Sequence, residues 1–308
     1  MGECEAAEAK VSSMWIYPLK SCRGISVPEA ALTSTGFRWD REWMVVNARG
    51  RACTQYVEPS LTLVEPELPH EAFTEGWEPK KGSFLVIKAP GMDVLKLPLV
   101  APSAISNGVS LMEWSGSALD EGDQASEWFT KFLGKPCRLV RFNEATENRS
   151  ANPSYVSGYH IKFSAEYPYL LVSQKSLDAL NEQLEEPVSI MRFRPNIVVE
   201  GCEAYAEDLW KEIEINGLTF HSTQLCYRCK VTRVHPETAA LGPEPLETLS
   251  KFRSNKVLHP EMKPLGRIYF GQYVVCTECS DEEKKKSIRV GDSVDVLKMV
   301  SSYAHVSV

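Results

Sequence analysis

The sequence predicts an α+β fold in which a mixed or barrel-like sheet dominates and helices are few. Short β-rich runs bounded by Gly, Pro, Asn or Ser recur along the chain, and only a few stretches have helical spacing. The chain has 308 residues, of which 43% are hydrophobic and 24% are charged, so it can bury a sizeable core in one large domain or two ordinary ones. Strands that follow one another without regular helical crossovers argue against a doubly wound sheet.

The first part of the chain is predicted to be rich in strands. Residues 11–63 contain four β-rich runs, SMWIYPLKS, ISVPEAALTSTG, REWMVVNARGR and ACTQYVEPSLTLV, and residues 83–88 and 94–100 add two more. Residues 124–133, QASEWFTKFL, place apolar side chains at helical spacing after an acidic start. This pattern predicts a helix that leads into a strand at CRLVRF.

A polar stretch divides the chain. Residues 143–159 contain Asn, Ser, Glu, Pro and Gly with few large aliphatic side chains, which is typical of a linker or long loop. We therefore predict one β-rich domain over residues 10–142 and a second domain over residues 160–308.

The second part repeats the strand-rich pattern. A strand at PYLLVS precedes a helix predicted over residues 174–184, and RFRPNIVVEG contains a further strand. EIEING and LTFHST surround Asn216 and Gly217, a pair that favours a tight hairpin turn. PLETLSKFR predicts a short helix, and GRIYFGQYVVC and VGDSVDVLK predict the closing strands.

Charge and cysteine content argue against several classes of protein. With 34 Lys and Arg against 41 Asp and Glu, the net charge of -7 disfavours general binding to nucleic acid or to an anionic membrane. Nine scattered cysteines do not resemble a disulfide scaffold and favour a reducing compartment. No transmembrane run or transit peptide is evident, so we expect a cytoplasmic protein or one peripherally associated with an organelle membrane. Gly2 and Cys4 are candidate lipidation positions, although the myristoylation motif is incomplete.

The segment QLCYRCKVTRVHPET holds the most reactive combination of residues. Cys226 and Cys229 lie three apart with Arg228 between them, and a thiolate beside a guanidinium can bind a metal and an anion together. The chain has no GxSxG, GxxxxGK[ST], HExxH or GxGxxG motif. The chemistry is therefore expected around Cys229.

Two other interpretations of the cysteines are open. Pairing CYRC with CTEC, which contains Cys276 and Cys279, would give a four-cysteine zinc site, but residues 230–275 form a longer spacer than a zinc ribbon uses. The alternative is that the CTEC thiols are ordinary. A Cys-His nucleophile would need His221 or His235, yet the first lies within a predicted strand and the second in a predicted turn.

Several basic residues stand in otherwise apolar, strand-like contexts. Lys20 occurs in YPLKSCRG, Arg41 in WDREW and Arg194 in RFRPN. Taken singly, each is more often a rim residue or a structural ion-pair partner than a ligand. Guanidinium forks and hydroxyls together satisfy several oxygens, so the combined set suits a phosphate and a polar heterocycle. The set also includes Ser21, Asn196 and Arg228.

These segments, in this order, resemble the MOSC family of molybdenum-cofactor proteins, and within it the amidoxime reducing components. The likeness spans nearly the whole chain. The segments that carry it are WIYPLKSCRG, WDREWMVVN, FRPNIVVEGCEAYAEDLW, CYRCKVTRVHPET, EPLETLSKFR and FGQY.

The resemblance implies a β-barrel-rich MOSC fold, with a β-rich N-terminal MOSC domain, a C-terminal MOSC core and the cofactor between them. The cofactor is the molybdenum cofactor (Mo-molybdopterin), in which molybdopterin supplies a dithiolene and Cys229 the catalytic thiolate ligand of molybdenum. Cys226 is then a neighbour and not a ligand. The implied cofactor-binding residues are Lys20, Ser21, Arg41, Arg194, Asn196, Tyr227, Arg228 and Tyr273.

The activity implied by the resemblance is reduction of N-hydroxylated compounds such as amidoximes and hydroxylamines, with nitrite reduction to nitric oxide as a side activity. Cytochrome b5 and NADH-cytochrome b5 reductase would supply the electrons, and an acidic b5-type partner requires a basic patch near the cofactor cleft. The resemblance favours a monomer and implies no nucleic-acid partner. The alternative within the family is a non-catalytic protein that binds or carries the molybdenum cofactor.

The chain departs from the family pattern in three places. Ala165, Glu166 and Tyr167 precede the Pro that opens the second-domain strand, where the family commonly has Asp-Thr-Ser or Asp-Gly. Tyr227 replaces a Ser, and residues 234–239 read VHPETA where animal members have VDPxTG. We therefore expect altered side-chain contacts to the cofactor near Glu166 and an altered pocket shape.

Overall fold

The computed structural model describes residues 8–263, 265–280 and 286–308. Gly2 and Cys4 lie outside these ranges. Eighteen strands and four α-helices occur within the described residues, which confirms the predicted sheet-rich α+β class. No helix in the described ranges is long and apolar enough to cross a membrane.

The first part of the chain forms eleven strands and one α-helix. Helix α1 (Asp123–Leu133) buries Trp128 and Phe129 on one face and ends at Gly134, whose φ of 69° closes the last turn. This helix was predicted. The strands are β1 (Lys10–Ile16), β2 (Ile25–Val27), β3 (Glu29–Thr33), β4 (Gly36–Phe37), β5 (Trp43–Asn47), β6 (Glu65–Glu67), β7 (Phe84–Lys88), β8 (Leu95–Pro98), β9 (Ile105–Leu111), β10 (Trp114–Asp120) and β11 (Cys137–Phe142).

One predicted run in this part is wrong. ACTQYVEPSLTLV forms a turn and a 3₁₀ helix over Pro59–Leu63. The N–H groups of Val57 and Glu58 both donate to the Thr54 carbonyl, at 2.9 and 2.7 Å. Pro59 then begins the helical turn, where its missing N–H costs nothing. Local turn chemistry therefore overrides the β-rich composition.

The second part contains seven strands and three α-helices. The predicted helix over residues 174–184 ends earlier than expected, at Asn181. The Asn181 side chain bonds the backbone N–H and carbonyl of Val188, which fixes the chain that follows the helix. The elements are β12 (Tyr169–Ser173), α2 (Gln174–Asn181), β13 (Ile197–Glu200), β14 (Trp210–Ile215), β15 (Leu218–Tyr227), α3 (Leu246–Phe252), α4 (Asn255–Leu258), β16 (Tyr269–Cys276), β17 (Ser287–Arg289) and β18 (Val294–Met299).

An eight-stranded sheet joins the two parts of the chain. Its order is β18-β14-β15-β16-β12-β13-β1-β2, so the first two strands complete a sheet built mainly by the second part. Strands β12 and β13 are parallel, and β1 runs antiparallel to β13. A four-stranded sheet, β5-β11-β10-β9, belongs to the first part alone. The division at residues 142 and 160 stays a prediction.

Residues 143–168 connect the two parts without a strand or helix, apart from an isolated bridge between Ser150 and His160. The connection is nevertheless well packed, because Arg149, Ile161 and Phe163 are buried within it. These buried side chains anchor the connection against the two parts of the chain that it joins.

Candidate functional site

The nine residues predicted to form the site all line one cleft. The cavity has a volume of about 360 Å³, within the range of small-molecule sites. The structure brings together Lys20, Ser21, Arg41, Arg194, Asn196, Tyr227, Arg228, Cys229 and Tyr273.

The cleft lies where the two parts of the chain meet. Lys20 follows β1 and is fixed beside β5, because its backbone N–H donates to the Trp43 carbonyl at 2.8 Å. Arg41 is fixed to the same turn, since its backbone N–H donates to the Tyr17 carbonyl at 2.8 Å. The second part supplies the residues before β13, the end of β15 and Tyr273 in β16.

Three residues of the site have left-handed backbone conformations. The φ angles of Ser21, Arg41 and Arg194 are 71°, 49° and 57°. Such angles are uncommon outside glycine and concentrate at functional sites, where surrounding structure maintains them. They turn these side chains towards the cleft, away from the strands on either side.

Two guanidinium groups pack on one aromatic ring. The Cζ atoms of Arg41 and Arg194 each lie 4.3 Å from the centroid of Tyr17. Arg41 Nη1 also donates to Asp40 at 2.5 Å, and Arg194 Nη1 donates to the Cys22 carbonyl at 2.7 Å. The Nη2 atom of Arg194 is buried and finds no hydrogen-bond partner among the described residues. Burial lowers the pKa of Arg194 to about 10.

Asn196 connects the Arg41 guanidinium to the eight-stranded sheet. Its Oδ1 accepts from Arg41 Nη1 at 3.1 Å and from the Leu170 backbone N–H at 3.3 Å. Its Nδ2 donates to the Trp15 carbonyl at 3.2 Å. Since Asn196 is only 2% exposed, the residue positions Arg41 and presents little of its own surface to the cleft.

Arg228 is held from two sides. Its Nη1 donates to the Cys226 sulfur at 2.8 Å and its Nη2 to the Phe193 carbonyl at 2.7 Å. The buried Nε has no partner within the described residues. Burial opposes the charge, but the neighbouring Cys226, Tyr273 and Cys229 raise the pKa of Arg228 overall. The guanidinium therefore remains charged.

The two cysteines of this segment have different surroundings. Cys226 is 1% exposed, and burial raises the pKa of its thiol. Cys229 is exposed at the cleft and precedes the 3₁₀ helix Lys230–Arg233. Both thiols line the cleft, but Cys226 is buried and already accepts from Arg228, whereas Cys229 is exposed, so the sulfur of Cys229 is the more accessible to a bound group.

Lys20 lines the cleft from the first part of the chain. Its Nζ donates to the Phe163 carbonyl at 2.7 Å. Burial, together with repulsion from Arg149, Arg41 and Arg194, lowers the pKa of Lys20 to about 7. Burial is the larger cause, and the three neighbouring guanidinium groups add to it, so an anionic ligand in the cleft would favour the charged form of Lys20.

The connecting loop forms another wall of the cleft through residues 164–167. Arg149 holds it with donors to the carbonyls of Lys162, Ser164 and Ala165, at 2.6 to 3.0 Å. Glu166 adds one carboxylate to the cleft, and its Oε2 accepts from Gln224 at 2.7 Å and from Asn152 at 3.1 Å.

The other cysteine and histidine candidates lie elsewhere. Cys276 and Cys279 belong to the main hydrophobic core, and His221 pairs with Glu212 at 3.5 Å on the sheet. His235 accepts from the Glu237 backbone N–H at 3.2 Å within a turn. No group of three or more His, Cys, Asp or Glu side chains is arranged to hold a metal ion in the described part of the chain.

Sequence analysis missed the apolar side of the cleft. Tyr56 and Met112 line it from loops of the first part, and the neighbouring Gln55 adds a buried amide. The turn between β9 and β10 consists of Met112 and Glu113, which are not the Gly, Asn or Asp residues that mark a two-residue hairpin, so nothing in the sequence pointed to Met112. The other two stand in the run that was mistaken for a strand.

Comparison with known proteins gives matches over most of the chain. The MOSC N-terminal beta barrel domain family matches residues 8–136, and the MOSC domain family matches residues 158–295. "Mitochondrial amidoxime reducing component 2" of Rattus norvegicus is 37% identical over 92% of this chain and 82% of its own length. The Homo sapiens "Mitochondrial amidoxime-reducing component 1" is 35% identical over 93% and 82%. "Molybdenum cofactor sulfurase" of Solanum lycopersicum is 29% identical over 94% of this chain but 36% of its own length.

Proposed function

The chain belongs to the family of MOSC proteins that includes the amidoxime reducing components, and from this membership we propose that it is a molybdenum-cofactor-dependent reductase of N-hydroxylated compounds. The observation that carries the proposal is the cleft itself. There the exposed thiol of Cys229 stands beside buried guanidinium groups with unused donors.

The residues of the cleft fit an anionic pterin cofactor. Arg194 Nη2 and Arg228 Nε are buried polar atoms without a partner among the described residues. Leaving such donors unsatisfied is costly, so a ligand rich in oxygen and nitrogen would stabilise the site. We assign phosphate and pterin binding to Lys20, Ser21, Arg41, Arg194, Arg228 and Tyr273, with Tyr227 at the edge and Asn196 bracing Arg41.

Cys229 is the proposed protein ligand of molybdenum. A thiolate is a suitable ligand for a redox metal, and its exposure leaves the sulfur free to coordinate. Molybdenum cofactor, when bound, supplies the two-electron reducing capacity that cleavage of an N–O bond requires. The guanidinium of Arg228, which directly precedes Cys229, would offset the negative charge of the Cys229 thiolate.

The proposed reaction consumes two electrons and two protons, and it converts an amidoxime into an amidine and water. The electrons are proposed to come from a separate redox partner. Cytochrome b5 and its NADH-dependent reductase are the proposed donors, and nitrite reduction to nitric oxide is the proposed side activity. The relatives are named as mitochondrial proteins, and that name supports the expectation of association with an organelle.

The test combines cofactor analysis with turnover. Purified protein should contain stoichiometric molybdenum and pterin, and it should oxidise NADH in the presence of benzamidoxime, cytochrome b5 and b5 reductase. Cys229→Ala should lose molybdenum and turnover, whereas Cys202→Ala, which changes a half-buried thiol that does not line the cleft, should retain both. Full molybdenum and full turnover in Cys229→Ala would contradict the proposal. Cofactor without any turnover would identify a carrier.

A further inference from the structure

The mouth of the cleft has an apolar side that the cofactor-binding residues do not account for. Tyr56 is 57% exposed and Met112 is 63% exposed, yet both line the same cleft as Cys229. Large exposed apolar side chains grouped at the mouth of a polar pocket are a mark of ligand contact. We call this pair the apolar lip.

The segment that leads into the Tyr56 loop is bonded to strand β9, which ends next to Met112. The Ser110 N–H donates to the Gly50 carbonyl at 2.8 Å, and the Ala52 N–H donates to the Ser110 carbonyl at 2.9 Å. Gly50 has a φ of 72°, and a Cβ there would lie 2.4 Å from the carbonyl oxygen of Gly108. This close approach explains the glycine and fixes the segments from which the two lip residues extend.

Met112 occupies a strained position. Leu111 and Trp114 pair across the hairpin, so Met112 is the first residue of a two-residue turn, and its φ is 53°. Glycine or asparagine would adopt this conformation more easily. An exposed methionine kept in such a turn is better explained by contact with a ligand than by stability.

Tyr56 lies beside the segment that carries the thiol. The Lys230 ammonium is 5.7 Å from the centroid of the Tyr56 ring, and Lys230 directly follows Cys229. Tyr56 therefore places the lip at the end of the cleft where Cys229 lies.

We propose that Tyr56 and Met112 are specificity-determining residues that bind the organic group of the substrate. The inference rests on the proposed reductase function. It assigns to the cleft N-hydroxylated compounds whose functional group is attached to an aromatic ring or a bulky alkyl group. An apolar group can pack on the tyrosine ring and the thioether, whereas a methyl group is too small to reach both.

The experiment uses full-length protein loaded with cofactor and reduced methyl viologen as the electron donor, so that no protein partner takes part. The KM of benzamidoxime is compared with that of acetamidoxime, which has the same head group and only a methyl. Tyr56→Ala and Met112→Ala should each raise the ratio of the benzamidoxime KM to the acetamidoxime KM, by roughly tenfold for the tyrosine. Equilibrium binding of benzamidoxime to the unreduced protein should weaken in parallel.

Two variants serve as controls, and molybdenum content is measured in all of them. Tyr56→Phe keeps the ring and should keep the wild-type ratio. Val57→Ala changes an adjacent side chain that is 62% exposed but does not line the cleft, and it should also keep the ratio.

Each contrary result has a distinct meaning. An unchanged ratio in Tyr56→Ala and Met112→Ala would overturn the lip proposal and leave the reductase function intact. A second assay with cytochrome b5 as the donor separates docking from substrate binding: if the substitutions raise only the KM of cytochrome b5 and leave the ratio unchanged, the lip is a docking surface for the donor and the proposal is overturned. If the wild type reduces neither compound, the proposed function fails and the lip proposal fails with it.

Discussion

At the scale of single residues, the role of Cys226 is to orient the guanidinium group of Arg228. The thiol is buried and accepts from Arg228 Nη1, while the Phe193 carbonyl accepts from Nη2. These two acceptors set the direction of the guanidinium and leave Nε unused. A residue whose role was unassigned from the sequence thus acts as a positioning group.

This role predicts an ordered series of variants. Cys226→Ala removes the acceptor and should lower the molybdenum and pterin content roughly threefold to tenfold, because a misdirected Arg228 contributes about 1 kcal/mol less to binding. Cys226→Ser restores an acceptor and should recover part of the loss. Metal analysis of the purified proteins tests this, with Cys202→Ala as the control. Equal losses in the Ala and Ser variants would show that Cys226 serves packing only.

The identity of the cationic residues was readable from the sequence, but their direction was not. Lys20, Arg41 and Arg194 stood out because charges within apolar runs need partners or ligands. Their convergence depends on left-handed φ angles at Ser21, Arg41 and Arg194. Only glycine or asparagine would have signalled such angles in the sequence.

At the scale of elements, the connecting loop shows why a polar sequence can form a rigid wall. Arg149 is 8% exposed and satisfies three backbone carbonyls of that loop. The same loop supplies the Phe163 carbonyl that accepts from Lys20. The composition of this segment predicted a loop. That Arg149 is buried and holds the loop rigid is visible only from the carbonyls that it bonds in the structure. The Asn216-Gly217 hairpin was predictable, because both residues have the positive φ that its turn requires.

Arg149→Met should destabilise the protein by about 2–4 kcal/mol, because it leaves buried carbonyls without donors. Cofactor content should fall as well, since residues 164–167 line the cleft. Urea denaturation followed by tryptophan fluorescence measures the first effect and metal analysis the second. Arg49→Met, at an exposed position, should change neither, and an unchanged stability of Arg149→Met would contradict the bracing role.

The turn before β14 contains a buried carboxyl that makes stability depend on pH. Glu207 accepts from the Ser173 N–H at 3.0 Å and from Ser176 Oγ at 2.7 Å. Burial and the adjacent Asp208 raise the pKa of Glu207 from 4.5 to about 7. The folded state therefore retains a proton that the unfolded chain has lost, so this stabilisation is full below about pH 4.5 and disappears as the pH rises through 7.

Glu207→Gln should remove this dependence. Between pH 5 and pH 8 the wild type should lose about 1–3 kcal/mol of unfolding free energy relative to the glutamine variant. Denaturant titrations of the cofactor-free proteins at several pH values give the comparison. Glu203→Gln, at an exposed position nearby, should follow the wild type, and parallel curves for wild type and Glu207→Gln would contradict the assignment.

At the scale of the whole molecule, the cleft exists because two parts of the chain share one sheet. Strands β1 and β2 pair with the second part, and the segment after β1 delivers Lys20 and Ser21 to residues that follow β15. Local sequence patterns predicted most strands, but not that β1 pairs with a strand of the second part. The pairing joins residues that are 186 positions apart, such as Ser12 and Val198, and no local pattern can reveal it.

Charge is also distributed on this scale. The net charge is -7, yet two cationic side chains lie beside residues that line the cleft. Lys230 is 5.7 Å from the centroid of Tyr56, and the Arg267 guanidinium is 4.9 Å from the centroid of Tyr227. An acidic electron donor would be repelled by the molecule at long range and attracted at the mouth. Such an arrangement selects one orientation of approach.

Lys230→Glu should therefore raise the KM for cytochrome b5, by roughly fivefold to tenfold at low ionic strength, because a close attraction becomes a repulsion. The difference from wild type should shrink in 0.5 M salt, where the Debye length falls to roughly 4 Å. Lys96→Glu makes the same change in net charge on β8, in a separate sheet, and should raise the KM much less. Equal effects of the two substitutions would mean that the donor responds to net charge alone, and docking at the cleft mouth would then be wrong.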